Sequence, residues 1–89
     1  MYVAVQHHIK DVEAAMSRAE ALLKGDGAPI GVRVLQSYLS QNQSAVNCLW
    51  EGGSVGDVQK YVDETLGDSA ENFCFAVDTE HSLGLPATA

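Results

Sequence analysis

GVRVLQSYLSQNQSAVNCLWEG, residues Gly31–Gly52, decides how the rest of the chain is arranged. β-branched and aromatic residues alternate with polar ones on both sides of Ser40-Gln41-Asn42-Gln43-Ser44, a polar run with turn chemistry, and this predicts a hairpin. Upstream, Tyr2–Ile9 reads as a strand with Val3, Val5, His7 and Ile9 on one parity and Tyr2, Ala4, Gln6 and His8 on the other. Asp11 then caps a helix in which Val12, Ala15, Met16, Ala19, Leu22 and Leu23 recur at helical spacing, and Gly25 stops it. Downstream, Gly52-Gly53 breaks the third strand and Ser54 caps a second helix with the stripe Val55, Val58, Val62, Thr65 and Leu66. Gly67 ends that helix, and NFCFAVD, Asn72–Asp78, supplies a fourth strand.

Strand, helix, strand, strand, helix, strand is the order of an α+β, ferredoxin-like βαββαβ fold: a four-stranded antiparallel sheet with two helices on one face. The spatial order expected is 4-1-3-2. The whole chain, 1–89, is then a single domain, with 79–89 as a C-terminal tail whose Leu83, Leu85 and Pro86 are apolar enough to dock on something, a neighbouring chain included. Charges are nearly absent from the strands, so the sheet face opposite the helices is left without an obvious polar coat. Four strands of about six residues expose a face of roughly 400 Å², the size at which a patch on a monomer marks a contact site. Burying half of it as apolar surface contributes about 5 kcal/mol per chain. The expectation is a homodimer packed sheet to sheet, a dimeric α+β barrel.

Of the 89 residues, 46% are hydrophobic and 19% charged, which places the chain among globular proteins. The formal net charge is −7, and the five basic residues are scattered singly. Holding phosphates needs clustered cations, so no nucleic acid and no anionic membrane is expected as partner. The start of the chain has no signal-peptide pattern and no stretch is long enough to span a bilayer. A cytoplasmic setting is expected, with Cys48 and Cys74 as reduced thiols: one strand lies between them, so they stand about 10 Å apart, beyond disulfide reach.

The chemistry is less sharply written. His7 and His8 are strand neighbours pointing to opposite faces, and a metal site on either needs another donor such as Cys48, Asp78, His81 or a partner-chain residue; nickel or zinc suits imidazole. Histidines that simply end a strand and bond the N-terminus of the first helix or water are the plainer reading. Tyr2, Tyr38 and Trp50 are candidates to line an apolar cavity for a small ligand, with Gln36, Ser37 and Asn47 as hydrogen-bond partners and His7 or His8 as general base. No nucleophile with a recognisable base and no phosphate-binding glycine loop appears.

Ser37-Tyr38 near the end of the second strand, Cys48 followed by Trp50 and Glu51 in the third, the helix after it and the closing AVDTEHSLGLP together resemble a family of small ferredoxin-like proteins of unknown function, some described as nickel-binding. The chain is also similar to the broader dimeric α+β barrel superfamily, which includes small monooxygenases and haem-degrading enzymes. Where members carry a histidine in the second helix, this chain has Gln59, Lys60 and Tyr61. The resemblance implies a small homodimer that binds a nickel-like metal ion or a small ligand without assigned catalysis. The alternative it implies is a cofactorless, monooxygenase-like barrel enzyme acting on a small hydrophobic substrate.

Overall fold

A computed structural model describes residues 1–86. The last three residues of the tail lie outside the described residues. The elements run β1 (Tyr2–Ile9), α1 (Val12–Lys24), β2 (Arg33–Leu39), β3 (Ala45–Glu51), α2 (Val55–Leu66), a 3₁₀ turn (Gly67–Ser69) and β4 (Ala70–Ala76). All four strands pair antiparallel in the order β2-β3-β1-β4, so the ferredoxin-like fold read from the sequence is the fold observed. β4 starts and stops two residues earlier than expected, because the 3₁₀ turn after Gly67 is short and Ala70 already pairs with Ile9.

Local chemistry accounts for the element boundaries. Asp11 accepts from the Ala14 N–H at the start of α1, and Ser54 Oγ accepts from the Asp57 N–H at the start of α2. Gly25, at φ 76°, takes the left-handed turn that closes α1. In the hairpin loop Ser40 Oγ accepts from the Ser44 and Ala45 N–H groups, which ties the polar run into a compact turn.

The core lies between the helices and one sheet face, built from Val3, Val5, Cys48, Trp50, Val58 and Val62. Strict alternation along the second strand would put Val34 and Tyr38 on the same side. A β-bulge between Val34 and Gln36 changes that: Val34 faces Trp50 on the helix side, Ser37 and Leu39 follow it inward, and Tyr38 turns out. Two departures from the sequence expectation concern the helices. Tyr61 of α2, outside the expected stripe, is buried and stands edge-on to Trp50 with ring centroids 5.9 Å apart. In α1, only Ala15 and Leu22 are buried, while Val12, Met16 and Leu23 stay exposed.

The reason is placement. α1 packs on α2 and touches the strands only lightly. Arg18 Nη1, at the middle of α1, donates to the Leu66 carbonyl at 2.7 Å, and the Tyr61 hydroxyl donates at 2.8 Å to the Asp26 carbonyl just past the end of α1, so the middle and the C-terminal side of α1 are tied to α2. Space is left beneath it.

The opposite sheet face carries Tyr38, Phe73 and Phe75, which are 64%, 62% and 41% exposed, around a polar middle of Gln6, His8 and Asn47. The tail turns back over one end of this face, where the Tyr2 hydroxyl donates to the Pro86 carbonyl; Leu83 stays fully exposed. Among the described residues no helix is long and apolar enough to cross a membrane.

Candidate functional site

β1 carries the central residue. Alternation sends His7 inward with Val3, Val5 and Ile9, and leaves it 3% exposed, a buried histidine on an otherwise apolar row. Its cross-strand partners are Val46 on β3 and Asn72 on β4. His7 Nδ1 lies 2.6 Å from Asn72 Oδ1, Asn72 Nδ2 donates to Asp63 Oδ1 at 2.9 Å, and Gln59 Nε2 donates to both Asp63 oxygens at 3.0 Å and to the Asn72 carbonyl at 3.0 Å. Asp63 and Gln59 sit one turn apart on α2, so a single helix face holds the outer end of the chain.

The second ring nitrogen, His7 Nε2, is buried without a hydrogen-bond partner. Nδ1 is turned towards β4. Beneath α1 lies a cavity of about 180 Å³ with His7 in its wall, bounded by Ala15, Leu22, Val46, Cys48 and Leu66. No charged side chain lines it, and Met16, Leu23 and Leu39, all exposed, form its mouth. Ser37 and Cys48 supply its other polar atoms, with Cys48 Sγ donating to Ser37 Oγ at 3.4 Å.

Electrostatics follow from burial. Desolvation lowers the His7 pKa below 6.5, opposed by the hydrogen bond to Asn72 and by the charge of Asp63. Desolvation likewise raises the Cys48 thiol, opposed by Ser37 and Trp50. The site therefore pairs a neutral imidazole with a protonated thiol, not a thiolate with an imidazolium. What it can do is accept a proton or a hydrogen bond in an apolar setting.

The residues expected from the sequence are divided between faces. Of the metal candidates, His7 and Cys48 share the inner face, but His8 points out on the other side of the sheet. Asp78 and His81 pair with each other in the tail, beyond the Tyr2 end of β1 and about 17 Å along the strand from His7. Among the described residues no group of three His, Cys, Asp or Glu side chains converges to hold a metal ion. Of the ligand candidates, Trp50 and Ser37 face inward, Trp50 as part of the core; Tyr2, Gln36 and Tyr38 lie on the outer face, so the five do not line one cavity.

Sequence reasoning missed Asn72, Asp63 and Gln59. Asn72 opens the strand expected over Asn72–Asp78, and nothing in the sequence pattern singles out Asp63. The available signal was Asn72 at an inward parity of β4, a polar residue in line with Cys74, which called for a buried partner. Comparison with protein-family models, curated proteins and solved structures yields no match.

Proposed function

We propose that this protein binds a small, mostly apolar molecule in the cavity beneath α1, with His7 Nε2 as the group that engages it. The observation that carries this reading is an uncharged cavity with a buried histidine in its wall, one ring nitrogen of which has no hydrogen-bond partner. A buried polar atom with no partner costs about 1 to 3 kcal/mol, and a ligand that supplies the missing hydrogen bond offsets that cost. The size fits: an engineered apolar cavity of roughly 150 Å³ takes up benzene. This is the small-ligand half of the expectation drawn from the sequence; the metal half has only His7 and Cys48 on one face to support it.

A neutral imidazole in such a place also serves as a general base, which supports the second reading, a cofactorless enzyme acting on a small hydrophobic substrate. His7 would remove a proton from the bound molecule, and Asn72 would steady the imidazolium through Nδ1. The assembly we infer is a homodimer joined through the outer sheet face, on the strength of Tyr38, Phe73 and Phe75 exposed there.

The test is a heteronuclear NMR titration of the full chain with phenol, which carries one ring and one hydrogen-bonding group. Binding is expected to perturb Ala15, Leu22 and Val46 and to leave the outer face unmoved. Ala19→Leu, which fills the cavity from α1, is expected to abolish the perturbation. Saturating phenol without any shift at these three residues would sink the reading.

A further inference from the structure

The hydrogen bonds around His7 have only one consistent set of directions. A carboxylate can only accept, so Asn72 must turn its amide nitrogen to Asp63, 2.9 Å away, and Gln59 must do the same at 3.0 Å. That leaves Asn72 Oδ1, an acceptor, facing His7 Nδ1 at 2.6 Å. Two acceptors do not approach so closely, and Nδ1 therefore carries the proton. In a neutral imidazole Nε2 is then a bare lone pair. Asp63, exposed on α2, thus fixes the polarity of a buried atom two hydrogen bonds away.

We propose that the cavity beneath α1 takes single-ring, uncharged molecules that present a weakly acidic O–H, a phenol or an enol, to His7 Nε2, and that Asn72 and Asp63 are the positioning residues that impose this choice. The inference rests on the reading of the cavity as the ligand site. A carbonyl or nitrile would bring an acceptor to an acceptor. A carboxylate ligand would meet no cation among the lining residues, and the volume of about 180 Å³ suits one ring and a small substituent. An apolar isostere fits the walls but leaves Nε2 as orphaned as before.

The experiment compares phenol, toluene and benzaldehyde by NMR titration of the full chain, with imidazole ¹⁵N shifts read alongside. Phenol is expected to bind roughly tenfold more tightly than toluene, the usual scale for satisfying one buried polar atom, and benzaldehyde more weakly than either. In the free protein His7 is expected to show a protonated Nδ1 and a bare Nε2. Asp63→Ala, a surface change that leaves the core intact, is expected to release the Asn72 amide, admit the Nε2–H tautomer and erase most of the preference for phenol. Asn72→Leu is expected to do the same more completely. Equal affinity for phenol and toluene, a protonated Nε2 in the parent, or a preference unchanged in Asp63→Ala overturns the donor rule and leaves the cavity as ligand site. Failure of all three compounds to bind overturns the site and the rule together.

Discussion

His7 and Asn72 face each other across β1 and β4 with Nδ1 and Oδ1 2.6 Å apart, and this contact joins a buried base to an exposed acid on another element. Burial outweighs both partners and holds the imidazole below its ordinary pKa of 6.5. The unfolded chain takes up a proton near pH 6.5, whereas the folded chain does so only at a lower pH. The stability tied to neutral His7 is therefore full above about pH 6.5 and is lost as pH falls from there through the folded value. Urea unfolding at about pH 7.5 and about pH 5 is expected to show a larger loss of stability in the parent than in His7→Leu, which cannot titrate.

Gly52 gives a second expectation. A Cβ there would come 2.9 Å from Val58 Cγ2 and 3.4 Å from Val32 Cγ2. Val58 is fully buried and branched at Cβ, so it has little freedom to yield. Gly52→Ala is expected to destabilise the fold by about 1 to 3 kcal/mol, measured as a lower urea midpoint with unchanged slope.

The sequence marked this glycine only as a strand breaker, and that difference is instructive. Boundaries were legible wherever one residue type carries the reason: Asp11, Gly25 and Ser54 did their expected work. The hairpin and the strand order were legible too. What stayed hidden depends on relations between distant elements. The bulge at Leu35 reverses the parity of Tyr38, and no local pattern announces it. Asp63 and Asn72 are nine residues apart and no local pattern links them; only the approach of α2 to β4 makes them the support of His7. Met16 and Leu23 looked like core because their spacing is helical, yet α1 stands off the sheet.

The two thiols make a third expectation. Desolvation pushes Cys74 up to about 11 and raises Cys48, so neither is a thiolate near neutral pH. Alkylation by iodoacetamide at about pH 8 is expected to be far slower in the folded protein than in urea, with Cys74 gaining reactivity only as the pH approaches that of its own ionisation. Rapid labelling of the folded chain at neutral pH would contradict the burial of both groups.

Phe73 tests the assembly. It is 62% exposed on the outer face, with Phe75 beside it at 5.8 Å between ring centroids. Phe73→Glu places a charge in the inferred interface and is expected to weaken self-association by about 2 kcal/mol or more, leaving the fold intact. Sedimentation velocity across a dilution series reads the shift, and a parent chain that is already single at micromolar concentration removes the dimer.

The roof of the cavity is hung from α2, through Arg18 at the middle of α1 and the Tyr61 hydroxyl just past its C-terminal end, while the floor is the sheet. Exchanges at Met16, Ala19 or Leu23 reshape the chamber without disturbing strand pairing, since those side chains bear on no ladder. Divergence among descendants of such a chain can accordingly run fast on one helix and slow on four strands, and an engineer wanting a different occupant has a short list of positions to vary.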